Sequence, residues 1–192
     1  HCLHVIPESA RRDGAALLTL LRAQRIDGLD CTPSHLKLLL AAGFDAHAGD
    51  WPSLVLIGGE PIDPGTWNLL AAHPVDAWNM YGPTETAVNA SFAPIVPGST
   101  PNIGRPVRNV RLYILDGALR PLPIGVAGEL YIGGSGVGLG YFDDPGLAAK
   151  RFVDDPFVAV GLMYRSGDLA CWRADGSIEF CGRIDQQMKI RA

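Results

Sequence analysis

Apolar positions in the first half of the chain follow two alternating rhythms. Ala16, Leu17, Leu20, Leu21 and Ala23 recur at the spacing of a helix with one buried face, which predicts a helix within 12–25. Asp13 stands where it would cap that helix. Thr32-Pro33-Ser34 opens a second predicted helix, running through Gly43, because proline suits a first turn whose N–H has no partner. Asp63-Pro64-Gly65 opens a third, through about Ala72. Between and before them lie short apolar runs that read as strands: 3–7, 26–31, 54–57 and 75–80. The unbroken Leu54-Val55-Leu56-Ile57 run ends in Gly58-Gly59 and predicts a strand covered by helices on both faces. Such alternation argues for a parallel sheet, and parallel sheets bind ligands beyond the carboxyl ends of their strands. The loops at Gly58-Gly59-Glu60 and 81–86 are where chemistry is to be sought.

The rhythm changes where prolines 94, 97, 101 and 106 punctuate the chain. Downstream only 145–152 reads as helix; strand patterns fall at 110–115, 129–132, 162–164, 169–172 and 177–180. Ala174-Asp175-Gly176-Ser177 joins the last two as a hairpin, since Asp-Gly tolerates the positive φ of a tight turn. The expected organisation is an α/β unit over 1–98, flavodoxin-like with βαβ crossovers, then a β-rich, barrel-like unit over 99–182, with a connecting segment from 183 to 192. No internal repeat is visible.

Composition narrows the function classes. The 192 residues are 47% hydrophobic and 19% charged, enough apolar surface to offset the entropy of ordering the chain. Sixteen Lys and Arg against twenty Asp and Glu give a net charge of −4, with no basic run denser than Arg11-Arg12, which argues against a nucleic-acid partner. The greasiest stretch, 36–42, is far short of a membrane span and carries Lys37. His1-Cys2-Leu3-His4 lacks the layout of a signal peptide and reads as mid-strand, so an excised piece is expected. Cys2, Cys31, Cys171 and Cys181 form no C-x-x-C pair and are expected to be reduced, buried thiols of a cytoplasmic protein.

Three segments carry candidate chemistry. Gly133-Gly134-Ser135-Gly136-Val137-Gly138-Leu139-Gly140 matches neither a P-loop nor a dinucleotide fingerprint, and reads as a turn where backbones pass closely. Tyr81-Gly82-Pro83-Thr84-Glu85-Thr86 follows a buried strand. Its Tyr can stack on a flat base, its Thr can donate to a phosphate oxygen, and its Glu can hold Mg²⁺, a hard cation that prefers oxygen. The same residues also suit a plain turn with a capping Thr and a surface Glu. Tyr164-Arg165-Ser166-Gly167-Asp168 places after a strand a carboxylate able to accept from a ribose diol, or simply to shape a turn.

Together, and in this order, the segments 79–85, 128–134, 164–169 and 182–191 resemble the adenylation domains of nonribosomal peptide synthetases, within the superfamily of adenylate-forming enzymes. Asn102-Ile103-Gly104-Arg105-Pro106 and Arg151-Phe152 look like the same family, so the resemblance covers essentially the whole chain. It implies the large N-terminal subdomain of such an enzyme and a two-step reaction. An amino-acid carboxylate attacks the α-phosphorus of Mg·ATP, giving an aminoacyl-adenylate and pyrophosphate; the phosphopantetheine thiol of a peptidyl carrier protein domain then takes the aminoacyl group as a thioester, releasing AMP. A neighbouring condensation domain is the further implied partner. By resemblance, Tyr81 stacks on adenine, Gly82 lets it approach, and Asn79 with the Gly59-Glu60 backbone surrounds its edge. Thr84 contacts the α-phosphate, Glu85 holds Mg²⁺, Asp168 binds the ribose hydroxyls and Arg183 lies near ribose and phosphate. Asp185 resembles the hinge between large and small subdomains.

The chain departs from the family at several points. Phe180 stands where a ribose-contacting Tyr is usual, Gly138-Leu139 replaces Ala-Arg, Ser166 replaces Thr, and Ala192 stands where the family has Gly. No Ser/Thr/Gly-rich, Lys-containing phosphate loop is present, nor the small subdomain's catalytic Lys, so the chain is expected not to activate an amino acid alone. The positions matching the family's substrate pocket are Asp30, Leu56, Gly58, Met80, Val88 and Asn89. If Asp30 faces a pocket it calls for a donor on the substrate, a hydroxylated or basic side chain; it equally suits a helix cap before Thr32-Pro33. An acyl- or aryl-acid CoA ligase and a binding-only adenylation module are the competing readings.

Overall fold

The computed structural model describes residues 2–46, 49 and 51–184. Contact density divides the chain into two compact units, His1–Trp78 with Pro94–Pro101, and Asn79–Ala93 with Asn102–Ala192. This differs from the compositional change near 98: residues 79–93, the 81–86 loop among them, group with the β-rich part.

In the first unit, α1 (Glu8–Arg11) and α2 (Gly14–Gln24) precede β1 (Gly28–Cys31), followed by α3 (Pro33–Ala41), β2 (Leu54–Gly58), α4 (Pro64–Ala72) and the start of β3 (Asp76–Tyr81). Each predicted helix start carries a side-chain cap: Asp13 accepts from the N–H groups of Ala15 and Ala16, Thr32 from His35, and Asp63 from Thr66. Each cap satisfies N–H groups that no helical carbonyl reaches. Because Thr32 is the cap of α3, Asp30 is free of that duty. Strands β1 and β2 are parallel, pairing Asp30 with Leu56 and Cys31 with Ile57, with β3 next in order. Leu36, Leu39, Val55, Ile57 and Trp67 are fully buried. Gly14 lets α2 approach α3, where an added Cβ would stand 2.5 Å from the Leu38 carbonyl oxygen.

Two expectations fail here. The 3–7 run is not a strand; Leu3 and Val5 are 87% and 81% exposed and the chain turns into α1 instead. Alternation of apolar residues there had no partner strand to pair with. Strand β2 is not uniformly covered, since Val55 and Ile57 are buried while Leu54, Leu56 and Gly58 are half-buried.

In the second unit, β3 continues into a short 3₁₀ turn at Thr84–Thr86, then β4 (Ser91–Pro94) and β5 (Arg105–Pro106) pair antiparallel. A second sheet follows: β6 (Val110–Leu115), β7 (Gly128–Gly134), α5 (Pro145–Arg151), β8 (Phe152–Asp154), β9 (Leu162–Trp172) and β10 (Ile178–Arg183). Its order is β10-β9-β7-β6, antiparallel at each pairing, with β8 also on β9. The two short strands expected at 162–164 and 169–172 are one 11-residue strand. Ser166-Gly167-Asp168 therefore lies within β9, and the register of β9 against β7 shifts beside it. The core is Leu112, Ile114, Leu130, Ile132, Ala170 and Ile178, with Tyr81 and Phe180 packed against it. The hairpin forms as expected, Gly176 at φ +79° and Arg173 N–H donating to the Ser177 carbonyl at 2.8 Å.

Candidate functional site

In the second unit, β3 delivers Tyr81 to the edge of the core and β9 delivers Asp168. Tyr81 Oη donates to Asp168 Oδ2, and Arg183 Nη1 donates to Asp168 Oδ1 at 2.7 Å. The second contact follows from register, because Arg183 of β10 lies opposite Asp168 of β9. Ser166 ties the backbone of Asp168 to β7: its Oγ accepts from the Asp168 N–H at 3.0 Å and donates to the Leu130 carbonyl at 2.6 Å. Burial, and then the Asp168 charge, push the Tyr81 hydroxyl far above its ordinary pKa, so it stays protonated and donates. The Phe180 ring lies 6.4 Å from that of Tyr81, centroid to centroid, tilted by 43°. Phe180 offers this site an apolar edge and no hydrogen bond.

Four residues beyond Tyr81, Glu85 belongs to a separate network. Tyr141 Oη donates to Glu85 Oε1 at 2.6 Å, and the Tyr164 hydroxyl stands 3.5 Å from that of Tyr141. Burial alone would raise the Glu85 pKa, but the Tyr141 hydroxyl and weaker contributions, including the Arg151 charge, hold it below the ordinary carboxylate value. Glu85 is therefore an anion. Mg²⁺ binds through one or two carboxylates together with phosphate oxygens and water, and a single anionic Glu fits that mode. Among the described residues no group of three or more His, Cys, Asp or Glu could hold a metal ion by protein ligands alone.

The backbone of the loop explains its composition. A Cβ on Gly82 would stand 2.4 Å from the Val88 carbonyl oxygen, so only glycine lets the chain double back. Ala87 and Val88 both take positive φ, 61° and 70°. A β-branched residue there is a true outlier, a kind of strain that collects at ligand sites. Thr84 is exposed at the start of the turn, whereas Thr86 is buried and donates to the Pro83 carbonyl at 3.2 Å. Met80, Val88 and Asn89 flank this loop, Val88 59% exposed and the other two half-buried. Asn79 is buried and donates from Nδ2 to the Asn102 carbonyl at 2.7 Å, fastening β3 to the 102–106 segment. The glycine-rich stretch is the close crossing expected of it: Gly138 N–H donates to the Glu85 carbonyl at 2.8 Å, and Gly134, at φ +123°, passes Asn109.

In the first unit, Asp30 and Leu56 are register partners, and Gly58 stands two residues past Leu56 on the same face of β2. This row lies toward the carboxyl ends of the parallel strands. Partial burial raises the Asp30 carboxyl above its ordinary pKa. Gly59 takes φ +81°, and the Glu60 carboxylate accepts from the Ser34 hydroxyl at 2.5 Å and N–H at 3.2 Å, tying the loop after β2 to the start of α3. Asp185 lies outside the described residues. Reasoning from sequence missed Tyr141 and the direct Arg183–Asp168 pair. The register of a hairpin signalled at 174–177 contains the second; nothing local to Phe142 or Gly140 announces the first.

The AMP-binding enzyme family model matches residues 1–142. The chain belongs to the AMP-binding enzyme family. It is 48% identical over 191 residues to AMB antimetabolite synthetase AmbE of Pseudomonas aeruginosa, covering 99% of this chain and 9% of that protein. It is 42% identical to surfactin synthase subunit 1 of Bacillus subtilis, covering 98% of this chain and 6% of that one. Among solved structures, a four-domain nonribosomal peptide synthetase bound to AMP and glycine matches 97% of this chain and 14% of its own, at 38% identity and TM-score 0.87. The chain thus spans under a tenth of the curated relatives named. Its fold is that of the N-terminal part of an adenylation domain, a sheet with helices and a curled antiparallel sheet.

Proposed function

We propose that this chain is the adenylate-binding part of an amino-acid-activating domain in nonribosomal peptide synthesis. In the proposed reaction an amino acid and Mg·ATP give aminoacyl-AMP and pyrophosphate, for later transfer of the aminoacyl group to a carrier-protein phosphopantetheine. The observation that carries the proposal is the Tyr81–Asp168–Arg183 array. A carboxylate is the acceptor that a ribose diol calls for, and Tyr81 and Arg183 hold that of Asp168 in place. Tyr81, with its hydroxyl anchored, presents an oriented aromatic plane for adenine, beside the Asn79 position. Thr84 is the exposed hydroxyl for the α-phosphate. Glu85 would hold Mg²⁺, which when bound neutralises phosphate charge. Arg183 adds a fixed cation where negative charge develops in phosphoryl chemistry. Phe180 supports the Tyr81 ring.

For the amino acid, Asp30, Leu56 and Gly58 of the first unit supply one carboxylate, one apolar wall and one gap, and the resemblance to the family assigns Met80, Val88 and Asn89 of the second unit to the same task. This set favours a substrate side chain bearing a donor. Asp185 is assigned to the hinge. The 48% identity with an antimetabolite synthetase favours this branch over a CoA ligase.

The test is isothermal titration of the purified chain with AMP and with a non-hydrolysable aminoacyl-adenylate mimic. Saturable binding is expected, weakened at least about tenfold by Tyr81→Ala and by Asp168→Asn, the scale of one charge-assisted hydrogen bond. Absence of binding by the parent chain, or equal binding by both variants, overturns the proposal.

A further inference from the structure

All four cysteines are free thiols, and the expectation that they are buried does not hold. Cys2 and Cys181 are exposed, Cys31 and Cys171 half-buried. Two of them meet. Cys171 lies on β9 opposite Glu179 of β10, and the β9–β10 register shifts between Phe180 and Gly182, making Cys181 the extra residue of a bulge. A diagonal pair across a regular ladder stands too far apart for its side chains to touch closely. At this bulge the two Sγ atoms are 3.9 Å apart. A disulfide needs the two Sγ atoms to close to about 2.05 Å, so both side chains must move toward one another for the bond to form.

We propose that Cys171 and Cys181 form a thiol-oxidation site, closing a cross-strand disulfide when the chain meets a small-molecule disulfide such as oxidised glutathione. The exposed Cys181 is the entry point. Its thiolate attacks one sulfur of glutathione disulfide, forming a mixed disulfide and releasing one glutathione thiolate, which takes up a proton. The Cys171 thiolate then attacks the Cys181 sulfur, forming the Cys171–Cys181 bond and releasing the second glutathione. Two protein thiols are oxidised and one glutathione disulfide is reduced to two thiols. Burial, and then the neighbouring Cys171, raise the Cys181 pKa, so the reaction is faster in mildly alkaline buffer, where more thiolate is present. Cys31 does not compete, because burial and the adjacent Asp30 push its thiol up to about 12. The bulge that carries Cys181 lies between Phe180 and Arg183, so the bond ties together the backbone that presents both residues.

The chemistry is independent of the proposed function and is read without any nucleotide. The chain, with Cys2→Ser to remove the other exposed thiol, is incubated with oxidised glutathione, alkylated, isolated as the monomer and digested with trypsin without reduction. The expected product is the 166–173 peptide linked to the 174–183 peptide, with Cys31 alkylated only after unfolding. Cys171→Ser should instead accumulate a stable glutathione adduct on Cys181. Separate adducts on Cys171 and Cys181 without a linked peptide, or no reaction at Cys181 under conditions that modify Cys2 of the parent chain, overturn the proposal.

Discussion

Removing the Asp168 carboxylate tests whether the Tyr81–Asp168–Arg183 array is a structural unit. The residue is 6% exposed, and its two oxygens take the Tyr81 hydroxyl and the Arg183 guanidinium. Stripping one partner from a fully buried ion pair costs about 3–5 kcal/mol. The Arg183 side chain is 25% exposed and recovers some water, which lowers that share to about 2 kcal/mol. The stranded Tyr81 hydroxyl adds about 1 kcal/mol. Asp168→Ala should therefore destabilise the chain by about 3 kcal/mol, a Tm loss of about 6–12 °C at this length. Tyr81→Phe alone, deleting one bond to a charged acceptor, should cost about 1.5 kcal/mol. In the double variant the shared bond is lost only once, so the two effects should fall short of additive by about 1 kcal/mol. Urea titrations of the parent, both single variants and the double variant complete the cycle. Effects that add to within about 0.3 kcal/mol would mean that Tyr81 and Asp168 do not bond, and the orientation assigned to the Tyr81 ring would go with it.

Gly104→Ala places a Cβ 1.7 Å from the Phe92 carbonyl oxygen at φ +72°, so a loss of at least about 3 kcal/mol, or no folded product, is expected by circular dichroism melts. Ser91→Ala should be neutral or stabilise by about 1 kcal/mol, because its Oγ is buried with no hydrogen-bond partner among the described residues; a clear loss in urea titration would reveal a partner. Tyr141→Phe removes the strongest influence lowering the Glu85 pKa. A depressed carboxyl contributes stability above its ordinary value of 4.5 and loses it as pH falls through the lower folded value, so the Tm gap between parent and variant should be full at pH 7 and close below about 4.5. A gap independent of pH would assign Tyr141 a packing role alone, against Phe152.

The parts of this fold that were legible are those written in short-range chemistry. Caps at Asp13, Thr32 and Asp63 lie within three residues of the N–H groups they satisfy, and Asp175-Gly176 shapes its own turn, so each could be read locally. The 3–7 run shows the converse. Apolar alternation specifies a strand only when another strand is present to accept its hydrogen bonds, and no local feature supplies one. The same reasoning explains why two strands were expected where β9 is one: Ser166-Gly167-Asp168 carries turn residues, but pairing of the flanking Arg165 and Leu169 with β7, and of Asp168 with β10, carries the strand across them.

The candidate site divides along the same line. Tyr81, Gly82, Thr84, Glu85 and Asp168 stood out because each is a chemically capable residue after a strand. The contacts among them did not, because Tyr141, Ser166 and Arg183 act through distances fixed by register and by the glycine-rich crossing. That crossing is the physical link between the two kinds of information. Gly138 has its N–H on the Glu85 carbonyl, and an added Cβ there would stand only 3.3 Å from that oxygen. Three residues later Tyr141 reaches the Glu85 carboxylate. A stretch that matches no phosphate-binding pattern thus bears on the candidate metal ligand all the same, by holding the backbone of Glu85 while its neighbour sets the charge.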